Sequence, residues 1–349
     1  MHNMLSRLMT RSLITVLGFV VLFAMILPAG ANEVRGQVTN LGVPEFTWNN
    51  VSFPGFYYDL DNNLGAEQLT FRLSNVGMDK NAATLSDQPD ANGNRGITYS
   101  TQAQPLGFSF APWGQYDVIG FLGDEYFVAY DPTVTSDVSN ADESVPFLYD
   151  TSKNRNLMTD DQISKILEDN DTEQTITSVN PLKLEEGYQL AIKSVDLKGN
   201  KANLELSKNC QVVDNQVVQP SIINSKMKDQ TYYYKTNIGG TGDIIQIAVH
   251  FKNAYAGSDT NIATVDGEFQ ISDNVTTLRS SQQFGKMSIK TVNSTDMTIT
   301  MDNKDNQVTL SKNKDISLMG KIHIMTADQD PIDAANPLRY YLYSEEPCS

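Results

Sequence analysis

Residues 188–206, YQLAIKSVDLKGNKANLEL, alternate apolar and polar positions. Tyr188, Leu190 and Ile192 share one parity, and Ala202, Leu204 and Leu206 do the same in the second run. A period of two puts such residues on one face of an extended strand and most polar ones on the other. Lys198-Gly199-Asn200 separates the runs, and glycine supplies the positive φ that a tight turn needs. The apolar phase slips at Ser194, because Val195 and Leu197 fall on odd positions. A β-bulge there restores the facing. The stretch predicts a β-hairpin with one wet face, the unit of an antiparallel sandwich.

The pattern returns further along the chain. Ile192-Lys193-Ser194-Val195-Asp196 becomes Ile289-Lys290-Thr291-Val292-Asn293, and Leu204-Glu205-Leu206-Ser207-Lys208-Asn209 becomes Val308-Thr309-Leu310-Ser311-Lys312-Asn313. The second pair of segments stands further apart than the first, as a longer loop would make it. Residues 116–121, YDVIGF, have a looser echo in residues 242–247, GDIIQI. Echoes in the same order predict a duplicated unit.

The other periodic segments are also strand-like. Residues 45–48 and 68–73 carry β-prone side chains between turn residues such as Gly42, Pro44, Pro54 and Gly65. In the second half, strands are predicted over 230–237, 244–252, 261–265, 268–272, 286–292, 297–302, 307–311 and 317–325. Turns are expected at Gly239-Gly240, Asp266-Gly267 and Lys312-Asn313. One segment has helical spacing: Ile163, Ile166 and Leu167 within residues 161–169, with Thr159 and Gln162 as a capping box. The expected fold class is all-β: two connected antiparallel β-sandwiches, over residues 32–218 and 219–349, with one short helix. Gln219-Pro220-Ser221 is the expected boundary.

The first 31 residues read as an address. Arg7 and Arg11 precede an uncharged run from Leu13 to Leu27, Pro28 breaks it, and Ala29-Gly30-Ala31 offers a cleavage site. The run is short against the about 20 residues of a spanning helix. It predicts a secretory signal peptide over residues 1–31, cut to leave Asn32, with an uncleaved anchor as the alternative. No second apolar stretch of spanning length follows, so no transmembrane helix is expected in the mature chain. The chain holds 42 acidic and 26 basic residues, net −16. That balance repels phosphate and excludes nucleic acid as a partner, and it suits an extracellular face that takes up cations.

Four segments carry a family resemblance: GYQLAIKSVDLKGNKANLELS (187–207), DIIQIAVHFKNAYAGSDTNIATVDGEFQISD (243–273), MTITMDNKDNQVTLSKNKDISLMG (297–320) and ADQDPIDAANPLRYYLY (327–343). In this order they resemble the S-layer family duplication domain, the repeat unit of surface-layer proteins of Methanosarcina-type methanogenic archaea. The resemblance implies two connected β-sandwiches that tile into a porous sheet outside the cell membrane, with the chain itself or related S-layer subunits as partners. The family's major surface proteins are similar to two tandem copies followed by a stalk and a membrane helix. One copy is expected here. Cys210 departs from the pattern, in a turn where glycine is expected.

Catalytic signatures are not found. His250 and His323 stand outside any H-E-x-x-H or Cys/His cluster, and no G-x-S-x-G elbow, phosphate loop or dinucleotide fingerprint occurs. No enzyme and no cofactor are expected, a structural divalent cation such as Ca²⁺ being the open case. Asp59 and Asp61, and Asp87 and Asp90, are its candidate ligands. Neither turn has the glycine and terminal glutamate of an EF-hand, and Asx-rich turns look the same. Asn50, Asn170, Asn274 and Asn293 head glycosylation sequons, about as many as chance provides in so polar a chain. Cys210 and Cys348 are a candidate disulfide in an extracellular protein. Tyr232 to Tyr234 and Tyr340-Tyr341 could stack on sugars, or simply line a strand. Two functions follow: a structural, non-catalytic protein of the archaeal S-layer, or a secreted glycan-binding or adhesion module on the same sandwiches.

Overall fold

A computed structural model of the chain describes residues 32–73, 82–85, 96–130, 156–196, 201–220 and 227–346. The signal segment, Asp87, Asp90, Cys348 and the turn at Lys198 to Asn200 lie outside the described residues. The rest is all-β, in five antiparallel sheets with strands numbered along the chain.

The first sheet runs β1 (Asn32–Arg35), β25 (Arg339–Glu346), β24 (Ile322–Thr326), β23 (Asp315–Met319), with β2 (Thr39–Asn40) also on β25. The second runs β19 (Gln283–Phe284), β20 (Met287–Asn293), β21 (Thr298–Asp302), β6 (Ile97–Gln102), β4 (Gln68–Arg72), β3 (Glu45–Asn49). The third pairs β5 (Ala82–Leu85) with β22 (Val308–Ser311). The fourth and largest runs β16 (Thr231–Ile238), β17 (Thr241–Tyr255), β18 (Ile262–Thr277), β10 (Gln162–Asn170), β9 (Asp124–Tyr130), β8 (Gln115–Phe121), β7 (Gln104–Gly107), with β11 (Gln174–Thr177) on β18. The fifth is β12 (Leu182–Lys183), β13 (Tyr188–Val195), β14 (Ala202–Lys208), β15 (Gln211–Val218).

The hairpin read from the sequence is β13–β14. Tyr188, Leu190, Ile192, Ala202, Leu204 and Leu206 are all buried. The register shifts between Ile192 and Ser194, the bulge that the phase slip requires. These side chains pack against Tyr232, Ile247, Val249 and Phe251 of the largest sheet, making one sandwich core. The echo at β20 carries the same device, with a register shift between Ile289 and Thr291. The echoing segments 116–121 and 242–247 lie in β8 and β17, the middle strands of the two meanders that end the largest sheet. The extra residues in the second repeat are not a longer loop. They form β21, which takes the place beside β20 that β14 takes beside β13, while β22 pairs with β5.

Three expectations are corrected. Residues 161–169 are not a helix but β10, hydrogen-bonded to both β9 and β18. Two register shifts, between Ser164 and Ile166 and between Ile166 and Glu168, break its alternation and leave Ile163, Ile166 and Leu167 at a spacing that imitates a helix. A 3₁₀ turn, Leu157–Asp160, precedes it, capped by Asn156 Oδ1 accepting from Met158 N at 2.8 Å. The short helix is elsewhere, α1 (Met227–Gln230). Asp266-Gly267 is not a hairpin turn. It lies inside β18 as a bulge, where Gly267 pairs with His250 and Val265 with Phe251, because β17 offers a continuous partner along this length.

Nor do the sheets separate at Gln219-Pro220-Ser221. β1 pairs with β25, β6 with β21, β5 with β22 and β10 with β18, all across that point. One buried cluster draws on both ends of the chain, with Trp48, Phe71 and Tyr99 beside Leu318, Ile324 and Leu342. The β13–β14 core draws only on residues 176–265. A third cluster closes the curl of the largest sheet on itself, with Phe108, Tyr116 and Tyr130 against Phe269.

A buried carboxylate ties these layers. Glu67 has no exposed surface. Its Oε2 accepts from Tyr57 N at 2.7 Å, and its Oε1 accepts from Tyr99 OH at 2.7 Å and from Gly123 N at 3.0 Å. It thereby joins the loop before β4, strand β6 and the β8–β9 turn. Burial pushes its carboxyl up to about 7, against the pull of those donors.

Candidate functional site

A cavity of about 360 Å³ opens beside the outer part of the largest sheet. The loop between β3 and β4 brings Asp59 and Asp61, β9 brings Glu125, and β10 brings Glu168 and Asp169. Five carboxylates therefore line one hollow. Tyr116 on β8 reaches Asp169 on β10, and the Tyr116 hydroxyl donates to Asp169 Oδ2 at 3.1 Å. Ser109 N donates to Asp169 Oδ1 at 3.0 Å. The Tyr57 hydroxyl donates to Glu125 Oε1 at 2.7 Å.

The electrostatics follow from burial. Asp169 is pushed up to about 6, since desolvation outweighs the hydrogen bonds from Ser109 and Tyr116. Burial also raises Glu125, against the Tyr57 bond. Nearby Glu268 is pushed up to about 7 by burial, with Gln174 Nε2 donating to it and Glu168 adding repulsion. Asp59 goes the other way. Partial burial opposes its charge, but the side-chain and backbone amides of Asn62 and the Asp61 N–H prevail and lower it. The hollow is a concave surface lined by carboxylates, of which Asp169 is the one that burial brings up to about 6.

The two candidate aspartates meet here, but as turn residues. Asp59 Oδ1 accepts from Asp61 N at 2.9 Å and Asn62 N at 3.1 Å, and Oδ2 accepts from Asn62 Nδ2 at 2.8 Å. Both oxygens are occupied by an Asx turn. Among the described residues no group of three or more His, Cys, Asp or Glu side chains is placed to hold a metal ion. Sequence reasoning missed Glu125, Glu168 and Asp169. Asp169 falls in the segment whose spacing predicts a helix, and only strand pairing shows that β9 and β10 are neighbours.

The remaining candidates are scattered. Asn50 is half-buried after β3, and Asn170 ends β10 half-buried, its Nδ2 donating to Glu168 Oε1 at 3.2 Å. Asn274 is exposed within β18. Asn293 is exposed at the end of β20, and its Nδ2 donates to Asp296 Oδ2 at 2.7 Å. Cys210 is exposed in the β14–β15 turn at φ 66°. His250 is buried in β17, stacked on Phe110 at 4.4 Å, with Nδ1 bonded to Asp266 at 2.5 Å and Nε2 without a partner. Tyr232 and Tyr340 are fully buried and cannot stack on a sugar. Among the described residues no helix is long and apolar enough to cross a membrane.

The sequence pattern of the S-layer protein family matches residues 38–328. The chain is similar to the major S-layer protein of Methanosarcina acetivorans, 28% identical over 322 residues, which cover 91% of this chain and 41% of that protein. It is 26% identical over 323 residues to the major S-layer protein of Methanosarcina mazei and 25% identical over 317 residues to that of Methanosarcina barkeri. The chain spans about two-fifths of the length of these relatives, 40% and 40% for the last two. With sandwich-forming sheets along its described length and a family match over residues 38–328, the chain belongs to the S-layer protein family.

Proposed function

We propose that the chain is a structural, non-catalytic subunit of an archaeal cell-surface S-layer, and that it associates with its own copies or with related S-layer subunits. The family match over residues 38–328 carries this reading. The similarity to three major S-layer proteins and the all-β architecture support it. In this reading residues 1–31 direct secretion and are removed, which an intact mass beginning at Asn32 would confirm and a retained Met1 would refute. The exposed Asn274 and Asn293 serve as glycan acceptors, and Cys210 pairs with Cys348.

Acidic subunits packed side by side repel, and screening at physiological ionic strength reaches only about 8 Å. Divalent cations held diffusely by the carboxylates around Asp59 and Asp61 offset that repulsion. The test is sedimentation and imaging of the protein without residues 1–31, across a concentration series with calcium, magnesium or chelator. Ordered assemblies that grow with concentration and with divalent cation are expected. A monomer at every concentration, indifferent to the metal, refutes the reading.

A further inference from the structure

The outer strands of the sheets differ in how they meet solvent. β1 carries Glu33 and Arg35, β3 carries Glu45, and β23 carries Asp315. Charge of this kind blunts an edge against pairing with another chain. β15 is the outer strand of the fifth sheet, and its sequence QVVDNQVV, like those of β3 and β23, has one charged residue, but Asp214 is half-buried where Glu45 and Asp315 are exposed. Val212, Val213 and Val217 are exposed on it at 54%, 41% and 57%. A lone exposed valine needs no explanation; three on one edge that no other described strand pairs with do.

The strand has two kinds of position. Asp214 and Gln216 are half-buried and already tied to their own chain. The Tyr232 hydroxyl donates to Asp214 Oδ2 at 2.8 Å, and Gln216 Nε2 donates to that oxygen at 2.9 Å and to Tyr233 O at 2.7 Å. Val213, Asn215 and Val217 point the other way and are exposed. A register shift against β14 leaves Val213 as a bulge, and the unbroken register with β14 runs from Asp214 to Val218.

Read outward from Asn215, the strand is nearly the same in both directions. Asp214 is balanced by Gln216, and Val213 by Val217. We propose that β15 is a homotypic docking edge. Two copies join β15 to β15 antiparallel about a two-fold axis at Asn215, so that the four-stranded sheet of one copy continues into that of the next. This arrangement sets Val213 opposite Val217 of the second copy, twice, on the exposed face. Asp214 falls opposite Gln216, so no like charges meet directly. The inward pair, Asp214 and Gln216, already makes its hydrogen bonds within its own chain. The proposal rests on the self-association proposed above and names the surface that performs it.

The test uses the full chain with Cys210→Ser and Cys348→Ser, which removes both native cysteines and with them the bridge proposed above. Asn215→Cys is then added in one variant and Val51→Cys, on a loop far along the chain, in another. Residues directly opposite in an antiparallel pair have Cα atoms about 4.5–5.5 Å apart, within reach of a disulfide. Under mild oxidation Asn215→Cys is expected to give a covalent dimer at least tenfold faster than Val51→Cys. In the parent chain, Val213→Lys with Val217→Lys is expected to weaken association at least tenfold in sedimentation while leaving the circular dichroism and melting temperature unchanged. Equal cross-linking rates, or assembly indifferent to the two lysines, overturn the β15 interface. If ordered assemblies still form in that case, S-layer assembly stands and only this edge is rejected. Monomers at every concentration reject both.

Discussion

Glu67 offers the sharpest test of how the layers are held. Its side chain is fully buried and accepts three hydrogen bonds from three separate segments. Its carboxyl sits near 7 in the folded chain, against 4.5 for the free side chain. The folded state therefore holds the proton more tightly than the unfolded state. That contribution is complete below pH 4.5 and is lost as pH rises through 7. A gap of this size is worth about 3 kcal/mol, a large share of the about 5–15 kcal/mol that holds a domain together. Glu67→Gln keeps the shape but cannot titrate, and it turns an amide N–H₂ toward a backbone or hydroxyl donor, costing about 1–3 kcal/mol. Other buried carboxyls, Asp169 among them, titrate in both proteins and cancel in the difference. The assay is urea unfolding of wild type and Glu67→Gln at steps from pH 4.5 to 8, followed by aromatic fluorescence. The wild type's advantage should shrink by about 3 kcal/mol across that range. A constant difference, or one that grows with pH, would show that the three donors and not burial control this carboxyl, and the reasoning would fail.

Three further outcomes are expected. Leu190→Ala, at a fully buried position of the β13–β14 core, should lower unfolding stability by about 2–5 kcal/mol in denaturant titration. Gly123→Ala should cost at least about 2 kcal/mol in the same assay, because φ is 86° and a Cβ would stand 2.3 Å from Gly55 O. His250 is lowered by burial, against the pull of Asp266. Its contribution is present above the ordinary imidazole value of 6.5 and is lost as pH falls, so His250→Phe should flatten the acid limb of the stability profile, and an unchanged limb would refute this.

The β13–β14 hairpin, its bulge and the all-β class were legible because they depend on neighbours in sequence. Alternation and a phase slip are local facts, and burial of Leu190 and Leu204 follows from them. The acidic hollow was half legible. Asp59 and Asp61 lie within one turn, and a turn is local. Glu125 and Asp169 join them only through the pairing of β9 with β10, which no local pattern encodes.

Residues 161–169 show the limit most clearly. Their own spacing satisfies a helix, and in isolation a capped amphipathic segment of that length would be read as one. β9 and β18 pair with it on its two sides, and two bulges let it fit between them. A central strand satisfies its hydrogen bonds with partners far away in sequence, so tertiary pairing overrode local preference. The same physics undid the boundary at residue 219. An edge left by the first part of the chain is closed by the last part, β1 by β25 and β6 by β21, and a sheet gains from any strand that fits its edge, whichever end of the chain supplies it.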